Sequence, residues 1–181
     1  DVIVNIGDMA DMESLCSYDK GKKSFEGRRY KGDIRAVIDA QERMFAPINE
    51  YNARMKVSKH KQYKPDLYLT LGNHENRINR VIEYQAELEG TIDVKDLKYE
   101  EFGWKVSKYT VPVSIDGIIF CHHFSGGVMG RPLSGEHPAY SHITKLHSSC
   151  VAGHSHLRDF CERTTAEGKK LTSTIVGCYL D

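Results

Sequence analysis

Apolar and polar residues alternate most clearly between residues 66 and 71. Leu67, Leu69 and Leu71 are interleaved with Tyr68 and Thr70, the period of a strand. The run stops at Gly72, and Asn73, His74 and Glu75 follow at once. A glycine at a strand end allows a sharp turn and close approach of a ligand. The same layout recurs. Residues 2–6 form an apolar strand-like run ended by Gly7 and Asp8, with Asp11 shortly after. Residues 118–121 end at His122 and His123, and residues 149–152 end at Gly153-His154-Ser155-His156. From Lys105 the apolar residues Val106, Tyr109, Val111, Val113 and Ile115 predict a further strand, and Asp116-Gly117 predicts a hairpin turn after it. Two more strands are expected over about 157–164 and 171–178, around Glu167-Gly168.

Helical spacing fills the intervals. From about Asp33 to Val57, Ile34, Val37, Ile38, Met44, Phe45, Ile48, Tyr51 and Met55 approximate a 3.6-residue period. Pro47 lies inside that stretch, so a kink or two helices are expected. Glu75 to Leu88 reads as a helix with Ile78, Val81, Ile82, Tyr84 and Leu88 on its apolar side, stopped by Gly90. Asp93–Phe102 suggests a short helix, and Pro138–His147 a helix with proline in its first turn. Residues 125–135 read as a glycine-rich loop, without the Lys-Ser or Lys-Thr ending of a phosphate-cradling loop. Strands and helices in this order predict an α/β fold with one domain over residues 1–181.

Composition narrows the class. The chain has 181 residues, 40% hydrophobic and 28% charged, with a formal net charge of zero. That balance fits a globular protein, and bulk charge argues for neither nucleic acid nor membrane. No apolar run approaches the roughly 20 residues of a membrane span. Cysteines stand at 16, 121, 150, 161 and 178, an odd number without a Cys-x-x-Cys pair. Structural cysteines in a reducing compartment follow. The chain starts inside an apparent strand with no signal peptide ahead of it, so a cytoplasmic location is expected.

Each strand tip alone has an ordinary explanation: Asp8 as a turn residue, Asn73 as a helix cap, His74 as a surface residue. Together they do not. Parallel or mixed sheets bring strand ends to one edge, which would converge Asp8, Asn73, His74, His122, His154 and His156. Carboxylate, amide oxygen and imidazole suit Mn, Fe or Zn. The set is too rich for one ion and right for two bridged by a carboxylate, an arrangement that can clamp a phosphoryl group and activate a water.

The series Gly7-Asp8-Met9-Ala10-Asp11, Gly72-Asn73-His74-Glu75, His122 and Gly153-His154-Ser155-His156 resembles the calcineurin-like metallophosphoesterases in order, spacing and strand context across essentially the whole chain. The resemblance implies a four-layer α-β-β-α sandwich of mixed sheets with two divalent ions at the strand ends. It implies that Asp8 bridges the ions, that Asn73, His122 and His154 complete the second, and that His156 binds the first. It makes His74 the group that protonates the leaving alkoxide or steadies the phosphate. The family opens with an Asp-x-His motif on a preceding strand, which no residue ahead of Asp8 supplies. The expectation is therefore a domain lacking its first strand, with its first metal weakened. His123 stands where the family often has glycine, and reads as a loop residue or a support for a ligand. Met12 stands where the protein-phosphatase branch carries arginine. Arg77, Arg28 or Arg29 could take over phosphate binding, since guanidinium forks match phosphate oxygens. Arg77 could equally be a helix-surface residue.

Residues 18–32 interleave Lys20, Lys22, Lys23, Arg28, Arg29 and Lys31 with Tyr18, Phe25 and Tyr30. Basic and aromatic residues together fit a phosphate backbone and stacked bases, or simply a solvated loop with aromatic anchors. The expected function is a metal-dependent phosphoesterase using a metal-bound hydroxide, leaning to phosphodiester or nucleic-acid substrates. The alternatives are a phosphomonoesterase acting on protein or small molecules, a non-catalytic metal-binding scaffold, and nucleic-acid binding without hydrolysis. No membrane partner is expected.

Overall fold

The computed structural model describes residues 1–177, so Cys178, the last residue of the expected 171–178 strand, lies outside the described residues. The chain is mixed α/β. Strands β1 (Val2–Asn5), β2 (Asp66–Thr70) and β3 (Lys105–Ser107) form a three-stranded sheet in that order. Strands β4 (Val113–Ile115), β5 (Ile118–Phe120), β8 (Ser149–Ala152), β9 (Arg158–Thr164) and β10 (Lys170–Val176) form a second sheet, in the order β4-β5-β8-β10-β9. β5, β8 and β10 are mutually parallel, and the flanking strands β4 and β9 are antiparallel to their neighbours. Short strands β6 (Ser125–Gly126) and β7 (Arg131–Pro132) pair within the glycine-rich stretch. By contacts the chain divides into two compact units. The first holds Asp1–Ile3, Met9–Tyr68 and His74–Val106; the second holds Val4–Asp8, Leu69–Asn73 and the residues from Ser107 onward.

In the first unit, helix α1 (Tyr30–Val57) is one continuous element, not a pair. It begins earlier than the apolar period suggested and runs through Pro47. Proline's fixed φ is helical, but it forfeits its own N–H bond and its ring crowds the carbonyl four residues back. Val37, Gln41 and Phe45 are the buried residues of α1, spaced for one face. Phe45 stacks on Phe102 at 6.0 Å and meets Trp104 at 5.6 Å, while Gln41 Nε2 donates to the Leu97 carbonyl at 3.0 Å. Tyr30 donates to Asp96 at 2.7 Å, and with this bond and burial its hydroxyl pKa is raised, burial being the larger cause. The expected helix from Glu75 to Leu88 is shorter. α2 spans Arg77–Tyr84, Gln85 leaves helical geometry, and a 3₁₀ turn covers Ala86–Leu88. The short helix expected at Asp93–Phe102 is two 3₁₀ turns, the first held by a capping box between Asp93 and Asp96.

Glu75 is fully buried here, and its Oε1 accepts from the Ala10 amide and from Tyr99 OH, both at 3.0 Å. Glu75→Ala removes the acceptor that two buried donors share and is expected to lower stability by about 3 kcal/mol in urea unfolding. Glu75→Gln keeps an acceptor and should cost visibly less; equal losses would deny the hydrogen bonds that role.

The single strand expected from Lys105 to Ile115 is broken. β3 and β4 belong to different sheets, separated by a turn with Thr110 at φ 63° ahead of Pro112. The hairpin at Asp116-Gly117 forms with φ 49° and 80°, the primed-turn geometry that aligns Ile115 with Ile118. Helix α3 (Pro138–Leu146) carries proline in its first turn, and Asp159 from β9 accepts from its Ala139 amide at 2.9 Å. The core here gathers Cys121, Phe124, Leu133, Ala139, Cys150, Ala152 and Ile175. Cys16, Cys121, Cys150 and Cys161 are free thiols, and burial raises the pKa of Cys121 and Cys150. Among the described residues no helix is long and apolar enough to cross a membrane.

Candidate metal centre

The second unit brings four strand ends together. Gly7, directly after β1's flanking Ile6, has φ +92°; a Cβ there would stand 2.5 Å from the Gly72 nitrogen and 2.6 Å from the Thr70 carbonyl oxygen. Only glycine allows the ends of β1 and β2 to approach this closely. Asp8 and His154 then sit in the left-handed region, at φ 59° and 67°. Such conformations cost about 1–3 kcal/mol each for residues with a side chain and persist where the surroundings impose them. His122 follows β5 at a bend, and its carbonyl accepts from the Gly153 amide at 3.0 Å, tying the ends of β5 and β8.

Donor atoms meet around the His122 ring, which is 2% exposed. Its Nδ1 lies 2.8 Å from the Ile6 carbonyl oxygen, an acceptor that holds the ring proton on that side. In the neutral ring Nε2 then carries a lone pair. It lies 2.8 Å from Asn73 Oδ1, 3.2 Å from His154 Nδ1 and 3.3 Å from Asp8 Oδ2. His154 Nδ1 and Asn73 Oδ1 are themselves 2.8 Å apart. Carboxylate and amide oxygens accept and do not donate, so acceptors converge with too few protons between them. A cation resolves that conflict. At bond lengths of about 2.1 Å, neighbouring ligand atoms stand about 3.0 Å apart in an octahedron and about 3.4 Å in a tetrahedron. The spacings of 3.2 and 3.3 Å fall in that range and the two of 2.8 Å lie just under its octahedral end, so these residues fit a divalent ion in donor chemistry and come close to it in distance.

His123 joins them. It is 5% exposed, its ring lies 5.0 Å from that of His154 and 5.9 Å from that of His122, and Tyr109 meets it edge-on at 5.3 Å. Ring nitrogens of His122, His123 and His154 lie within 4.8 Å of one another. His123 Nδ1 is buried with no hydrogen-bond partner. Burial, with the neighbouring His154 and His122, lowers the His123 pKa to about 4, against the opposing pull of Asp8. The ring is therefore neutral at pH 7, the form that ligates metals. His156 lies two residues past His154 in the same turn, exposed and at φ 58°.

The remaining candidates lie in the first unit. His74, the residue after Asn73, has Nδ1 2.6 Å from Asp11 Oδ1, an acceptor that holds the ring proton on that side. Arg77 NH1 donates to the Asp11 carbonyl at 2.6 Å, to Asp11 Oδ1 at 3.3 Å and to the Met12 carbonyl at 3.4 Å. Its guanidinium thus holds the loop that carries Asp11. Arg28 is paired with Asp19 at 2.8 Å and Glu13 at 3.2 Å, and the Asp19 carboxyl is held down to about 2, chiefly by Arg28 and then Lys22. Arg29 donates to the Arg28 carbonyl at 2.8 Å.

Sequence reasoning missed the Asp11–His74 pair, although Asp11 was visible as the second acid after Gly7. It also gave no sign of the Ile6 carbonyl, a backbone atom no motif encodes, or of His123's burial beside His154. No protein-family model matches the chain, and no curated protein and no solved structure matches it.

Proposed function

We propose that the protein is a metal-dependent phosphoesterase of the calcineurin-like kind. The observation that carries this reading is the meeting of Asp8, Asn73, His122 and His154, from four separate chain segments, at spacings of 2.8–3.3 Å. These residues would hold a divalent ion of the Mn, Fe or Zn class, and the resemblance adds His156 with Asp8 toward a second. Sheets of three and five strands are compatible with the α-β-β-α sandwich that the resemblance implies. A bound divalent ion supplies Lewis acidity toward a phosphoryl oxygen and toward water. The chain's own residues do the rest. Ile6 and Asn73 orient the His122 ring. Asp11 orients His74 so that Nε2 can deliver a proton to the leaving oxygen. A phosphate ester is the substrate class, with diesters and nucleic acid favoured by the basic and aromatic residues of 18–32.

The test is hydrolysis of bis-nitrophenyl phosphate and nitrophenyl phosphate in manganese, with EDTA as the control. Metal bound in stoichiometric amount with no turnover of either would leave a scaffold role instead. His74→Asn should keep metal binding and slow turnover of an alkyl ester about a hundredfold. The loss should be smaller for nitrophenyl esters, whose leaving groups need little protonation. Equal losses on both substrates, or loss of metal, would remove the acid role from His74.

A further inference from the structure

Beside α2, within the first unit, lies a cavity of about 590 Å³ that the metal chemistry does not use. Lys20 and Arg80 line it, and none of its lining residues is acidic. In a chain whose formal charges cancel, that is a local excess of positive charge. Arg80 has one partner there, a 3.3 Å hydrogen bond to Ser17 Oγ, and no carboxylate pairs with it among the described residues. Its fork is therefore available to an anion, in contrast to Arg28, which two carboxylates occupy. The same cavity has flat and apolar walls, with Phe25, Tyr84 and Leu88 among them. Tyr84 is 81% exposed at the end of α2, an aromatic surface that the fold itself does not bury. The volume falls in the range of small-molecule sites, about 300–1,000 Å³. A cationic fork, an unburied aromatic ring and apolar walls suit a ligand with a phosphate at one end and a flat base at the other.

We propose that this cavity binds a nucleoside monophosphate unit, its phosphate on Arg80 and Lys20 and its base against Tyr84 and Phe25. The assignment rests on the phosphoesterase reading only for its link to turnover, since it names the substrate class for that chemistry. α2 ties the two together along the chain. Arg77 at its start holds the Asp11 loop, and Arg80 one turn on reaches Ser17 at the loop's far end.

The test is calorimetric titration in EDTA, where a metal centre cannot hold phosphate. The probes are adenosine monophosphate, adenosine, inorganic phosphate and a 5′-phosphorylated trinucleotide. Adenosine monophosphate should bind, with adenosine and phosphate each at least about tenfold weaker. Tyr84→Ala, at an exposed position, should weaken the monophosphate about tenfold and leave phosphate unchanged; Arg80→Gln should weaken both. Tighter binding of the trinucleotide than of the monophosphate identifies a nucleic-acid terminus as the source, and equal binding a free nucleotide. No binding of the monophosphate, equal affinity for it and phosphate, or an unaffected Tyr84→Ala overturns the proposal. Manganese-dependent turnover is scored separately. Turnover without monophosphate binding sinks the cavity alone, and binding without turnover sinks the phosphoesterase reading alone.

Discussion

Replacing His122 with alanine is expected to lower manganese affinity at least a hundredfold and to reduce diester hydrolysis by about 10²–10³-fold or more. The ring lies at the middle of the donor set, reaching Asn73 and His154 through Nε2 and the Ile6 carbonyl through Nδ1. Without it the proposed ion would lose an imidazole, and the three remaining donors would lose the group they are packed around. His122 is buried, so a cavity would accompany the change and a thermal melt belongs beside the metal titration. His154→Gln separates the two effects, because His154 is only half-buried and its loss opens no core cavity. The same drop in affinity with an intact melt identifies ligand loss. Full metal binding in both variants would mean that the convergence of these side chains has no metal behind it.

Much of this centre could be read in the chain because ligand-type residues sat directly after short apolar runs. Asp8, Asn73, His122 and His154 are each placed by a strand end, and strand ends are legible from local pattern. What escaped was set by long-range packing. The apolar period from Lys105 to Ile115 looked like one strand, yet β3 and β4 serve different sheets, because alternation does not say which neighbour a strand will pair with. Pro47 suggested a kink or two helices, and α1 runs through it as one helix whose buried face, Val37, Gln41 and Phe45, local sequence does not weigh against proline's cost. His123 read as a loop or supporting residue. The bend at His122 turns both rings inward, and no sequence rule reports a bend before the sheet exists.

Gly72→Ala is the second change with a large expected effect. A Cβ at Gly72 would stand 2.5 Å from the Asp8 amide nitrogen and would overlap the Asp8 carboxylate. A side chain alone could swing away, but backbone cannot, and Asp8 is already held in the left-handed region at φ 59°. The variant should lose about 2–3 kcal/mol of stability, and its metal affinity should fall because the carboxylate is displaced. Gly32→Ala makes the matched control. It lies in the first turn of α1 with nothing within 4 Å of its would-be Cβ, and should be neutral or stabilising by about 0.5–1 kcal/mol. A Gly72→Ala protein that melts like the parent and binds manganese equally well would show that the β1 and β2 tips yield more readily than their backbone contact suggests.

The strand order β5-β8-β10-β9 has a consequence for how the protein is made. β8, which delivers His154, lies between β5 and β10, and β10 is translated after it. On the ribosome Asp8, Asn73 and His122 emerge long before β8 can be enclosed, and β8 is enclosed only once residues through Val176 have left the exit tunnel. Pairings this distant in sequence form slowly and leave strand edges exposed meanwhile. A nascent chain arrested before β10 should therefore hold metal weakly, and metal capture should follow the emergence of β10.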